Sequence, residues 1–394
     1  MPKIYMDYAA TTPLDGKVLE AMLPYLTNVH GNPSSLHFTG REAREALDES
    51  REKVARALGA DPEEIIFTSG GTEANNMAIQ GASRAFKKAL SPGERGHIIT
   101  SSIEHHAVLD TVNYLGNTGF DVTFLPVDEY GLIDPEELAE HITDKTFLVT
   151  IMTANNEIGT IQPFEEIGRV CRENGVYFHT DAVQAIGHIP FNLKEQPVDM
   201  LSLSAHKFYG PKGVGVLYLR KHTKIEQAFF GGAQEKGLRP GTENLPGIVG
   251  LGRAIELATA DMEEKSIRLT VLRDRLIKGL LEIEDVKLNG HPRKRLPGNV
   301  NVSVLYIEGE SLLLSLDLKG IAVSSGSACT SGSPEPSHVL SAIGLDHQAA
   351  RGSVRLSLGK DSTVQEIDYT VEAIKEITAR LRKMSSVYKK QSFL

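Results

Sequence analysis

The chain has 394 residues, 41% of them hydrophobic and 24% charged, and a formal net charge of −9. Its length accommodates two domains, and its acidic balance excludes a general nucleic-acid binder, which would carry a basic excess. Two cysteines exclude a disulfide framework and point to a reducing, cytoplasmic setting. The opening stretch, MPKIYMDYAATTPLDGKV, has no basic run leading into an apolar core, so no secretion signal is expected. No apolar run approaches the roughly 18 residues of a membrane span.

In chain order, strand-like and helix-like stretches alternate. The first dozen residues are compatible with packing against either of two domains. Residues 41–58 put Ala43, Leu47, Val54 and Leu58 on one helical face. EEIIFTSGGTEANNMAI (63–79) reads as strand, glycine turn and helix, and HIITSSIEHHAVLDTV (97–112) repeats strand then helix. FLVTIMTANNEIG (147–159) follows the same order, while GVYFHTDAVQAIG (175–187) and VDMLSLSAHK (198–207) are apolar runs with polar ends. This alternation predicts an α/β fold with a mostly parallel sheet covered by helices. In such sheets ligands sit beyond the C-terminal strand ends, where the polar residues would converge. Residues 246–283 read as one long helix, and NVNVSVLYIEG and SVRLSLG alternate like antiparallel strands. The predicted division is a large domain over 15–260. A smaller α+β domain takes 1–14 and 261–394, with a cysteine loop at about 324–336.

Four features carry chemistry. TSGGTEANN (68–76) combines Gly70, Gly71 and Thr72 with an immediate helix start, either a phosphate cup or a tight turn. It lacks the GK[ST] ending of a triphosphate-binding loop. Asp181, at a strand end, reads as a helix cap or as the partner of a buried cation. Lys207 follows an apolar strand directly, where partial burial would lower its pKa and make the amine nucleophilic. Lys212, in PKG, reads as an exposed turn. His105 and His106 lack further ligands at zinc spacing; a His105 imidazole at a strand end would stack on an aromatic ligand, and His106 reads as a surface or helix-start residue. A phosphate cup, a lysine amine and a carboxylate together are what pyridoxal phosphate needs.

With these residues in place, the chain resembles the cysteine desulfurases of the NifS/IscS type, with the class V aminotransferase fold (fold type I). The resemblance runs through YMDYAATTP, FTSGGTEANN, EHHAVLD, NNEIGTIQP, DAVQ, SAHKFYGPKG, GLRPGTEN, SSGSACTSG and SVRLSLG. It implies a seven-stranded-type sheet and a pyridoxal 5'-phosphate enzyme acting on L-cysteine. Lys207 would be the Schiff-base lysine, Asp181 the partner of the ring nitrogen and Gln184 that of the phenolic oxygen. Asn156 would lie beside cofactor and substrate. Gly71, Thr72, Ser204 and His206 would hold the phosphate, His105 would stack on the ring and carry protons, and Arg355 would bind the substrate carboxylate. Thr242 would reach the phosphate of a neighbouring subunit, which makes a homodimer. Cys329 would take the sulfur as a persulfide and deliver it to acceptors: an IscU-like iron–sulfur scaffold or a transfer-RNA thiolation partner. A transient 2Fe–2S cluster on Cys329 belongs to the same set of expectations. Cys171 reads as a packed helix residue. The rival readings are a selenocysteine or cysteine/cystine lyase, and a non-catalytic homologue presenting Cys329 to a cluster.

Overall fold

The computed structural model describes residues 3–91, 93–325, 337–384 and 388. The chain opens with β1 (Ile4–Tyr5), α1 (Gly16–Thr27) and α2 (Phe38–Leu58). Strand and helix then alternate through β2 (Ile65–Thr68), α3 (Gly71–Lys87), β3 (His97–Ser101), α4 (His106–Asn117) and β4 (Asp121–Leu125). α5 (Pro135–His141), β5 (Thr146–Thr150), α6 (Phe164–Glu173), β6 (Tyr177–Asp181), β7 (Met200–Ser204) and β8 (Gly215–Leu219) follow. α7 (Leu245–Thr259) and α8 (Met262–Leu281) lead into β9 (Val286–Leu288) and β10 (Asn299–Val304). The rest is α9 (Gly309–Asp317), β11 (Ile321–Ala322), α10 (His338–Ala342), α11 (His347–Arg351), β12 (Ser353–Ser357) and α12 (Val364–Met384).

Among the described residues, seven strands form one sheet in the order β2-β8-β7-β6-β5-β3-β4. All its pairings are parallel except those of β8, which runs antiparallel to β2 and β7. Side chains alternate between the two faces of a strand. Ile65 and Phe67 therefore join Val149, Phe178 and Leu201 in one apolar layer under α2, α6 and α7. Ile66 joins Ile98, Leu148 and Met200 in the opposite layer, under α3 and α4. A sheet buried on both faces explains why these strands read as near-continuous apolar runs.

The second sheet, β12-β10-β9, is antiparallel, and Asn301 pairs with Arg355 in register. Here alternation separates two tasks. Val300, Val302, Val304, Val354 and Leu356 pack with α8 and α12 into a separate apolar cluster. Asn299, Asn301, Arg355 and Ser357 take the other face and are buried too. That polar face lies against the large sheet: Asn301 Nδ2 donates to Glu157 O (3.1 Å) and Asn299 Nδ2 to Asn156 O (3.4 Å).

The N-terminal segment touches both bodies. β1 pairs in parallel with β11, and Ala9 N donates to Ser357 Oγ. Thr12 N, further on, donates to His206 O beside the large sheet. The single helix expected over 246–283 is two. Ala260 leaves the helical conformation, and Asp261 takes a left-handed one (φ 52°) before α8 starts. Among the described residues no helix is long and apolar enough to cross a membrane.

Candidate active site

The C-terminal ends of the parallel strands open into a cavity of about 310 Å³. Its lining includes Gly71, Thr72, His105, Asn156, Asp181, Gln184, Ser204, His206, Lys207 and Arg355, ten of the residues singled out in the sequence. Thr242 is exposed and outside this lining. Cys329 lies outside the described residues.

The cup is a matter of backbone approach. Gly70 has φ 156°, and the start of α3 has no side-chain cap. The first N–H groups of a helix have no partner within it, so an uncapped start is a ready anion site. Crowding explains the neighbouring glycines. A Cβ on Gly71 would lie 2.6 Å from Val183 Cγ2, and one on Gly215 would lie 2.7 Å from Gly70 Cα. Ser204 ends β7 beside this turn, and His206 follows it. Burial, with help from Lys207 and Lys212, pushes the His206 imidazole down to about 4, so near pH 7 it is a neutral group.

Asp181 ends β6 and is 6% exposed. The carboxylate meets a turn amide and a side-chain amide, where a helix cap or a buried cation was expected. Oδ1 accepts from Val183 N at 2.9 Å, which is a local turn contact. Oδ2 accepts from Asn75 Nδ2 at 2.6 Å. Asn75 is a site residue the sequence reading missed, and its Oδ1 is buried without a partner among the described residues. It sits one helical turn beyond Gly71, so the 3.6-residue period puts it on the cup's face.

Lys207 sits on a short helical turn just after β7, half-buried. Its Nζ donates to Ala9 O (2.6 Å) and Ala10 O (2.8 Å). Gln184 Nε2 donates to the same Ala9 carbonyl at 2.9 Å. The N-terminal segment thus aims the amine, which no local pattern announced. Lys212 is exposed in a turn, as expected.

His105 caps α4: its Nδ1 accepts from Ala107 N at 3.0 Å. An accepting Nδ1 leaves Nε2 to carry the ring proton. Burial lowers its pKa, partly opposed by Asp181 and reinforced by Lys207. His106 opens α4 beside Asp110, as a helix-start residue. Arg355 is 2% exposed. Its guanidinium donates to Asp7 Oδ1 (2.9 Å) and to Asn156 O (3.1 Å), and Nε is a buried donor without a partner among the described residues. Two further carboxyls lie close by. Burial pushes Glu104 up to about 8 and Glu157 up to about 7; Glu157 accepts from Ser337 Oγ at 2.5 Å. Cys171 is buried on α6, and burial pushes its thiol well above the ordinary range, so it is inert.

The residues present fit pyridoxal phosphate. The uncapped helix start suits the phosphate, the Asp181 carboxylate suits a protonated ring nitrogen, and Lys207 supplies the amine. The orphaned Arg355 Nε is a donor suited to a carboxylate.

The chain's likenesses point the same way. The pattern of the aminotransferase class-V family matches residues 4–370. The cysteine desulfurase IscS of Methanosarcina thermophila is 56% identical, over 98% of this chain and 95% of its own. A solved NifS-like protein is 42% identical with a TM-score of 0.90, covering 96% of this chain and 100% of its own. A solved SspA in complex with cysteine is 40% identical with a TM-score of 0.79, over 90% and 99%.

Proposed function

The chain belongs to the aminotransferase class-V family, and from that premise we propose that it is a pyridoxal-phosphate-dependent cysteine desulfurase. L-cysteine and a protein thiol become L-alanine and a protein persulfide, and the sulfur then passes to an acceptor. The observation that carries this reading is one cavity holding an amine, a carboxylate and an uncapped helix start, in a chain alike to cysteine desulfurases over nearly its whole length.

The family resemblance and the geometry together support the following residue roles. The first-turn amides of α3, with Thr72, Ser204 and His206, bind the phosphate. Asp181, oriented by Asn75, holds the proton on the ring nitrogen, and Gln184 contacts the phenolic oxygen. When bound, pyridoxal phosphate supplies the sink for the electron pair released at the substrate Cα. Lys207 Nζ, aimed by the Ala9 and Ala10 carbonyls, moves the Cα proton. Arg355 and Asn156 hold the substrate carboxylate, and His105 covers the ring and carries a proton on Nε2. Cys329 is the thiol that takes the sulfur, and its thiolate is the attacking form.

The larger organisation belongs to the same proposal. Residues 15–260 are the large domain, and 1–14 with 261–394 the small one; separate apolar clusters for the two sheets support this division. A homodimer is supported by exposed apolar side chains: Leu19, Leu23 and Leu26 along α1, then Leu36, Phe38 and Phe230. It would bring the exposed Thr242 to a second copy's phosphate. The acceptors are an IscU-like iron–sulfur scaffold and transfer-RNA thiolation proteins, with a transient 2Fe–2S cluster on Cys329. The setting is the cytoplasm, in keeping with two cysteines in 394 residues.

Intact-protein mass spectrometry after addition of L-cysteine tests the function. A gain of one sulfur, absent in Cys329→Ser, is the expected result. No gain in protein that holds its cofactor, with no acceptor or reductant present, would favour a lyase that needs no protein thiol.

A further inference from the structure

Glu104 has no part in the chemistry above, yet it is 0% exposed and directly precedes the ring-covering histidine. Its Oε1 joins two strand ends. It accepts from Ser101 Oγ at 2.6 Å, the last residue of β3, and from Met152 N at 2.9 Å, just beyond β5. Met152 itself lines the cavity. The backbone of Glu104 makes a third tie: its carbonyl lies 2.9 Å from His338 Nε2, at the start of α10. Three elements that border the site therefore meet on this one residue. Its other oxygen, Oε2, is buried with no hydrogen-bond partner among the described residues.

We propose that Glu104 is a positioning residue for His105, a carboxyl that locks the end of β3 to the end of β5 and so fixes the imidazole over the cavity. Resting on the functional reading above, this adds a residue that touches neither cofactor nor substrate.

A buried ionised carboxylate needs a cation or several strong donors. Among the described residues Glu104 forms no ion pair, and its donors are one hydroxyl and one amide. Asp181, facing it from the end of β6, disfavours a second negative charge. His106 and His338 flank the site, their rings 5.1 Å apart, and His338 is itself held below its ordinary value by burial. The carboxyl is thus neutral at pH 7 and ionises near pH 8. Once charged, Oε1 accepts more strongly, but the ion is buried beside Asp181 without a counter-ion, so the carboxylate would shift toward water or a cation and move the clamp.

Two variants test this in the holoenzyme. Glu104→Gln keeps a neutral acceptor oxygen for Ser101 and Met152. It is expected to hold kcat at pH 7 within about threefold and to abolish a step near pH 8 in both kcat and the visible circular dichroism of bound pyridoxal phosphate. Glu104→Ala removes the clamp. It is expected to lower kcat by about 10- to 100-fold, the usual range for a supporting residue, with KM within about threefold and an altered dichroic band. Retention of the pH 8 step in Glu104→Gln would overturn the proposal. So would an alanine variant that loses thermal stability alone, with kcat and the dichroic band intact. Should the alanine variant fail to fold, the pH profile of the glutamine variant decides. The dichroic readout needs no turnover. A wild-type protein that made no alanine from cysteine would count against the desulfurase reading and leave the dichroic test standing.

Discussion

Lys207, Asn75 and Arg355 owe their proposed roles to what surrounds them. The Lys207 amine rests on two carbonyls from the N-terminal segment, so Lys207→Ala removes the only lysine amine lining the cavity among the described residues. Loss of turnover and of the yellow colour of the purified protein is expected; surviving desulfurase activity would remove the lysine from its role. Asn75 holds Asp181 by one short bond. Asn75→Ala should weaken cofactor binding by about tenfold, a charge-assisted hydrogen bond being worth about 1.5–3 kcal/mol, with fluorescence titration of the apoprotein as the readout. Arg355 spans Asp7 and Asn156 with a planar fork, and its Nε has no partner among the described residues. A lysine preserves the charge but not the fork. Arg355→Lys should therefore raise KM for L-cysteine by about tenfold or more and change kcat less; an unchanged KM would take substrate recognition elsewhere.

At the level of elements, the site depends on how closely strand and helix ends approach. Gly215 on β8 lies under Gly70, and a methyl group there would meet backbone rather than a side chain that could turn away. Gly215→Ala should cost about 1–3 kcal/mol of stability and loosen the phosphate cup, read as a lower melting temperature that added cofactor restores only in part. Much of this layer was legible. β6 and β7 are apolar runs that end in polar residues, and Asp181 and Lys207 stand at or just after those ends as expected. The break between α7 and α8 was not legible, because Asp261 takes its left-handed turn where no glycine or proline marks it. Asn75 escaped notice because a polar residue inside a helix has the same look whether it faces water or a carboxylate. Asp7, Ala9 and Ala10 were hidden for another reason. Their partners lie about 200 to 350 positions away, and no local pattern encodes that distance.

For the whole molecule, buried titratable groups set the response to pH. His179 and His188 are pushed down to about 3 and about 4 by burial, and the less buried His206 to about 4. Unfolded, each titrates near 6.5. Below that pH the unfolded chain binds more protons, so these histidines favour the fold above about pH 6.5 and lose that contribution toward pH 3–4. Glu104 and Glu157, raised to about 8 and about 7, have the opposite sign. The folded chain keeps their protons where the unfolded chain releases them, so they favour the fold increasingly as pH falls from about 8 to about 4.5. Thermal scans should show a stability maximum near pH 6.5, a shallow decline to about pH 4.5 and a steep one below. A melting temperature still rising at pH 5 would contradict this balance. The placement of residues 4–10 has a further consequence, for biosynthesis. These residues leave the ribosome well before their partners: Ala9 waits for Ser357 and Asp7 for Arg355, each 348 positions later. Contacts of such sequence separation form late. The segment that aims Lys207 is expected to dock only after residues 355–357 have been made, so a shorter nascent chain carries the lysine without the contacts that aim it.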